Sequence, residues 1–219
     1  MVTLETLLSS EEIRTYIEAQ DKSLLALGYT EHSFAHVKKV SADAAKILEI
    51  LGYSERDREL AEIAGYLHDI GNLVNRVNHS QSGALIAFRL LDKLGMPANE
   101  IATVVTAIGN HDEGTGVPVS PIAAALILAD KADVRRSRVR NQDFATFDIH
   151  DRVNYSAKES SLDISEDKRI IRLSLTVDKE ISTVMDYFEI FLERMILCRK
   201  AAEVLGLSFK LEINGQELL

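Results

Sequence analysis

The chain has 219 residues, 46% hydrophobic and 27% charged, the composition of a globular protein of one domain, or of one domain with a small appendage, and not of a disordered or fibrous chain. Lys and Arg number 25 against 34 Asp and Glu, a formal charge of -9, which argues against a nucleic-acid polymer as partner. A single cysteine, Cys198, excludes an internal disulfide and a thiolate metal cluster, and no apolar run reaches the ~18 residues of a membrane span. The N-terminus has neither a basic start nor an unbroken apolar core, so the expectation is a reduced, cytoplasmic protein with no membrane contact.

In chain order, Ser9 or Ser10 caps a first predicted helix through about Leu27, with Ile13, Tyr16, Ile17 and Leu24 at helical spacing before Gly28. A second runs from about Glu31 to Ile50, with Val37, Val40, Ala44 and Ile47 on one face. Ser54 starts a third, ending near Gly71, and a fourth covers about His79 to Leu94. The fifth extends from Asn99 or Glu100 to about Gly109, and the sixth is capped by Ser120 with Pro121 at its first position. The pattern then changes. Ile171, Leu173, Leu175 and Val177 alternate with polar residues as a half-buried strand does, and Val153 to Ile164 is a partner for it across the turn Ser165–Lys168. Ile181 to Leu205 reads as a long helix whose stripe of Val184, Phe188, Phe191, Met195 and Cys198 is core or a dimer surface, so a homodimer stays open. Phe209, Leu211 and Ile213 alternate again before the turn signal Asn214-Gly215.

Three of the six histidines precede an aspartate: His68-Asp69, His111-Asp112 and His150-Asp151. The dipeptide alone means little; its surroundings separate the three. His68-Asp69 ends an apolar helix, where an imidazole and a carboxylate are costly to bury unless something pairs them. Adjacent helix positions point about 100° apart, so both side chains can converge on one ion at the helix end. Asp130 follows the seven apolar residues Ala123–Ala129, a pattern that a solvated face does not explain. His150-Asp151 has no such context and reads as surface or strand edge. His32, one turn before His36, reads as a surface residue.

The order His36, His68-Asp69, Asp130, within the words HVKKV, YLHDIG and LILADKAD, resembles the HD-domain superfamily of metal-dependent phosphohydrolases. His79 with Gly83-Ala84, and His111 followed by Gly114, Pro118 and Ser120, resemble its binuclear branch, in particular the bacterial HD hydrolases of diadenosine tetraphosphate. The resemblance covers about residues 30–140. It implies a helical bundle; with the change of pattern after about residue 145, which lies outside the resemblance, the expected fold is mainly α, an HD-domain helical bundle over 1–144 with a small α+β appendage over 145–219. It also implies a first metal on His36, His68, Asp69 and Asp130, and a second on His79 and His111 with Asp69 bridging.

An all-N/O ligand set suits Fe, Mn, Zn, Ni or Co without choosing among them. Two divalent ions and two carboxylates leave the site net positive, which matches a phosphoryl group. The metals lower the pKa of a bound water, so Asp69 and that water are the expected catalytic groups. The family often has Lys where this chain has Asn72. The HD-GYP branch has paired histidines and a Gly-Tyr-Pro word; Asn110-His111 here disfavours cyclic-di-GMP hydrolysis. Asn72 and, in the basic run after Asp130, Lys131 and Arg135 at i, i+4 are the candidates for contacting the substrate. The expected activity is hydrolysis of a phosphate ester or anhydride of a nucleotide or other small molecule. A mixed-valent diiron oxygenase and a non-catalytic nucleotide sensor are the alternatives.

Overall fold

Helix ends follow the caps that the sequence carries. In a computed structural model describing residues 1–218, Ser10 caps α2 (Glu11–Ala26), Ser33 caps α3 (Phe34–Leu51) and Ser54 caps α4 (Glu55–Leu67). A five-residue α1 (Leu4–Leu8), held by a Thr3–Thr6 capping box, precedes them. α5 (His79–Lys93) and α6 (Ala98–Gly109) follow, and then α7 (Pro121–Ala132), capped by Ser120 as expected. Every side chain of α7 from Ile122 to Leu128 is buried, as a helix apolar all round must be. It packs against α3, α4, α6 and the later helix α9 (Val184–Val204), and Asp130 lies in its last turn.

Two close approaches position the helices that carry the candidate ligands. A Cβ on Gly65 of α4 would lie 2.7 Å from the Ser41 Cα of α3, so only glycine lets these helices come close enough to bring His36 beside His68. A Cβ on Gly71 would lie 1.9 Å from the His79 carbonyl oxygen, so glycine is also needed where the start of α5 meets the Asp69 turn. α4 does not continue to Gly71. It stops at Leu67, and a 3₁₀ turn over Ile70–Leu73 takes over. His68 and Asp69 occupy the break, where both side chains turn into the bundle.

After Ala132 the chain runs through two short 3₁₀ turns into α8 (Ile149–Ser156), capped by Asp148. β1 (Ala157–Ile164) and β2 (Ile170–Val177) form the expected antiparallel pair, with Leu162 opposite Leu173. Val153–Ser156 belongs to α8 and not to the strand. α9 (Val184–Val204) then crosses over, so that β3 (Ser208–Ile213) pairs parallel with β2. Asn214 and Gly215, both at positive φ, close a hairpin to β4 (Gln216–Glu217). The sheet order is β1-β2-β3-β4, and all of it lies after residue 145. Phe191, Met195 and Cys198 are buried, so that stripe of α9 is core. No helix among the described residues is long and apolar enough to cross a membrane.

Candidate metal centre

α3, the break after α4 and α7 bring four donor atoms together in the middle of the bundle. His36 Nε2 lies 3.3 Å from His68 Nε2, 3.4 Å from Asp69 Oδ2 and 3.4 Å from Asp130 Oδ1. His68 Nε2 lies 3.2 Å from Asp69 Oδ2 and 3.6 Å from Asp130 Oδ1. Atoms bound at ~2.0–2.2 Å to one cation are about this far from one another. His68, Asp69 and His111 also offer donor atoms within 4.8 Å of each other. Next to them, His79 Nε2 is 3.1 Å from His111 Nε2 and 3.6 Å from Asp69 Oδ1. Asp69 thus turns one oxygen to each group. The Asp112 carboxylate, which the sequence reading did not single out, stands 3.9 Å from His79 Nε2.

The tautomers follow from the outer contacts. Each Nδ1 has an acceptor: Asp133 Oδ2 at 2.7 Å for His36, the Gly65 carbonyl at 2.8 Å for His68, the Arg76 carbonyl at 3.1 Å for His79 and the Ile108 carbonyl at 2.6 Å for His111. With Nδ1–H donating outward, every Nε2 presents its lone pair inward. Lone pairs of two imidazoles and two carboxylates then face one another in a buried space, and Asp69 Oδ2 has no hydrogen-bond partner among the described residues. That arrangement is repulsive unless a cation or protons occupy it. The residues present therefore fit a divalent metal.

The protonation pattern of the metal-free chain agrees. Burial opposes a charge on His68, but Asp69 and Asp130 outweigh it and raise the imidazole to about 10. Burial and Arg138 oppose a charge on His36, and its three carboxylate neighbours raise it nonetheless. Against the cost of burial, His68 with its neighbours holds Asp69 well below the usual carboxylate range, and Lys131 does the same for Asp130. Burial pushes His79 and His111 down.

The substrate-contacting candidates fare differently. Asn72 is buried, and its amide donates to Asp69 Oδ1 at 3.0 Å and to the Asp69 carbonyl at 2.8 Å; it holds the shared carboxylate and does not face the cavity. Lys131 lines the cavity, with Nζ 2.7 Å from both Asp130 Oδ2 and Glu113 Oε2. Arg135 is a correction. α7 ends at Ala132 and Arg135 is extended (φ -140°, ψ 138°), so i, i+4 spacing no longer applies. Its guanidinium pairs with Asp133 and Glu31 outside the cavity. His32 is a second correction: it is 8% exposed and lines the cavity, because Nδ1 donates to the Thr30 carbonyl at 2.6 Å. His150-Asp151 sits on α8 at the cavity rim, with His150 exposed as a surface residue is, and not at a strand edge.

The cavity above the donor atoms measures about 490 Å³. Arg76 and Arg138 stand in its wall, and neither was singled out from the sequence. Arg138 is buried, with Nε and Nη1 donating to the carbonyls of Glu31 and Asp133 at 2.9 and 2.8 Å. Arg76 lies over the Tyr29 ring, 5.7 Å from its centroid, and forms no ion pair with a carboxylate among the described residues.

Residues 33–136 match the HD domain family. A stretch of 159 residues is 27% identical to an uncharacterized protein, MJ1020, of Methanocaldococcus jannaschii, spanning 62% of this chain and 61% of that one. The chain thus spans under two thirds of the length of this curated relative. A predicted HD superfamily hydrolase from an uncultured Thermotogales bacterium, known from a crystal structure, is 24% identical over 62% of this chain and 75% of that one, with a TM-score of 0.43. The family match encloses His36, His68, Asp69, His79, His111 and Asp130.

Proposed function

We propose that the chain is a metal-dependent phosphohydrolase that cleaves a phosphate ester or anhydride of a nucleotide or another small molecule. The observation that carries this reading is the inward convergence of lone pairs from His36, His68, Asp69 and Asp130, with His79 and His111 against the other oxygen of Asp69. His36, His68, Asp69 Oδ2 and Asp130 would hold a first divalent ion; His79, His111 and Asp69 Oδ1 would hold a second. Ions bound there would lower the pKa of water and stabilise charge on phosphoryl oxygens.

The chain's own residues do the positioning. Asn72 fixes the Asp69 carboxylate, Lys131 fixes that of Asp130, and Asp133 fixes the His36 ring. Arg138, pinned through two of its nitrogens, and Arg76 present guanidinium groups suited to phosphoryl oxygens. Covalent catalysis by Cys198 is disfavoured, because burial pushes its thiol up to about 12. On this reading residues 1–144 form the metal-bearing part and 145–219 the appendage.

The experiment is metal analysis of freshly purified protein, followed by phosphate release from a panel of nucleotides, sugar phosphates and aryl phosphates with Mn, Fe, Co, Ni and Zn. Release from at least one ester is expected, with Arg138→Gln raising KM about 10-fold or more. Full metal loading with no phosphate released from any ester would sink the hydrolase reading.

A further inference from the structure

The HD match ends at residue 136, yet the cavity over the donor atoms is closed by residues beyond it. α8 contributes Asp151 and Asn154 together with its cap Asp148, and α9 contributes Phe191 and Arg194. Arg194 ties α9 to the donor end: its Nε donates to Glu113 at 2.8 Å, and Glu113 in turn pairs with Lys131. The wall from residue 145 onward is therefore held at a fixed distance from the metal ligands.

Two parts of the cavity lining have opposite chemistry. The donor end carries Arg76, Lys131, Arg138 and any bound ions. The α8 wall offers acceptors. Asn154 is 8% exposed; its Nδ2 donates to the His150 carbonyl at 2.9 Å, which fixes the amide and leaves Oδ1 with no protein partner among the described residues. Asp151 uses Oδ2 to accept from Asn141 at 3.1 Å, and Asp148 uses Oδ1 to accept from the Asp151 backbone N–H at 2.8 Å. Each carboxylate keeps a second oxygen. An acceptor that a ligand covers without supplying a donor is costly, so a ligand filling the cavity is selected for donors beside α8. A volume of about 490 Å³ lies in the lower part of the ~300–1,000 Å³ range of small-molecule sites, which favours a compact molecule.

We propose that α8, outside the HD domain, is the recognition wall for the leaving group, and that the substrate is a compact phosphate ester whose leaving group carries hydrogen-bond donors. The inference rests on the phosphohydrolase reading for the other end of the molecule. Sugar hydroxyls and an ammonium group are the two sources of such donors, and Asp151 separates them. Replacing its charge affects an ammonium strongly and a hydroxyl weakly.

The test uses the full, metal-loaded chain and its Asn154→Ala and Asp151→Asn variants; the second is isosteric and guards against a folding defect. Turnover is measured with ribose 5-phosphate, phosphoethanolamine and phenyl phosphate, and calorimetry measures binding of the non-hydrolysable phosphonate counterpart of each. Asn154→Ala is expected to weaken binding of at least one donor-bearing phosphonate and raise the KM of its ester about 10-fold, with phenyl phosphonate held within twofold. A further loss in Asp151→Asn confined to the ammonium ligand assigns the donor as ammonium; a loss confined to the ribose ligand assigns hydroxyls. Equal losses for the donor-free ligand, or no loss for either donor-bearing one, overturn the proposal. Selective, Asn154-dependent binding without turnover of any ester would remove the hydrolase reading and leave the recognition wall standing.

Discussion

The two groups of donor atoms, side by side and sharing Asp69, are held in different ways. The first has two carboxylates among its four donors, and the Nδ1–H of its His36 is received by a third, Asp133. The second has two imidazoles and one carboxylate oxygen, and its Nδ1–H groups meet only backbone carbonyls. In the first, negative charge outweighs burial and pulls His36 and His68 up; in the second, burial wins and pushes His79 and His111 down. Without metal, the first group satisfies its lone pairs with protons, whereas the second remains neutral. On the proposed reading, an ion entering the first position would displace protons but gain more anionic ligands; an ion entering the second would displace none and be held less tightly. The difference predicts sequential filling, first position before second.

The largest effect that can break this comparison is loss of the shared ligand. Asp69→Ala removes an oxygen from both positions, so both ions should weaken and turnover should fall about 10³-fold or more. His79→Ala or His111→Ala should lose the second ion alone, with turnover down roughly 10²-fold and the first ion retained. Metal-to-protein ratios at saturation, measured beside kcat, decide the matter. One ion in the wild type together with full activity in both histidine variants would leave a mononuclear centre.

The parts of this centre differed in how visible they were in the sequence. The helical order, the caps at Ser10, Ser54 and Ser120 and the alternating strands are local signals, and local hydrogen bonding and apolar periodicity form them. Of the candidate ligands, His68, Asp69 and Asp130 stood out because they interrupt apolar runs, whereas His36, His79 and His111 were reached through the family resemblance. Asp133 did not stand out, since its role depends on reaching a ring 97 positions away in the chain. Arg76 and Arg138 were hidden for the same reason: one sits in a loop and the other ends a three-residue 3₁₀ turn, and only the packed structure fixes the path of either. Lys131 and Arg135 were paired by extending α7 beyond Ala132, where the helix in fact stops. In α8, Asp148 followed by a polar two-turn stretch was a capping signal that a strand reading passed over.

The proton content of the first position gives a smaller but sharper effect. His68 rises from 6.5 to about 10 in the metal-free chain, so its protonated form stabilises that chain fully below about pH 6.5, and this contribution disappears as pH rises through about 10. A metal needs the same nitrogen unprotonated. Binding of the first ion at pH 7 should therefore release protons, and its apparent affinity should rise with pH up to about tenfold per pH unit for each proton released. Binding of the second ion should release none from His79 or His111. Calorimetry in buffers of different ionisation enthalpy counts the protons; a first ion that binds without proton release at pH 7 contradicts the contrast between the two positions.

The smallest effect tests how far the outer contacts of the first position reach. Arg135 is not in the cavity, but its Nε and Nη2 donate to the two oxygens of Asp133 at 2.5 and 3.0 Å. Asp133 Oδ2 receives the His36 Nδ1–H. Against the cost of burial, His36, Arg135 and Arg138 together hold the Asp133 carboxyl below its usual range. Arg135→Gln removes one of these supports and leaves Arg138 and His36 in place. Removing a ligand's outer partner costs about 10–100-fold in metal affinity, so loosening only the partner's own support should cost a few-fold. The first ion should weaken by that amount, the second should not change, and inhibition by inorganic phosphate should be the same as in the wild type. Arg138→Gln, which acts on the cavity wall, should show the reverse pattern, with phosphate inhibition weakened more than metal affinity. A phosphate inhibition constant that moves in Arg135→Gln without any change in metal affinity would return Arg135 to the substrate and remove it from the support of His36.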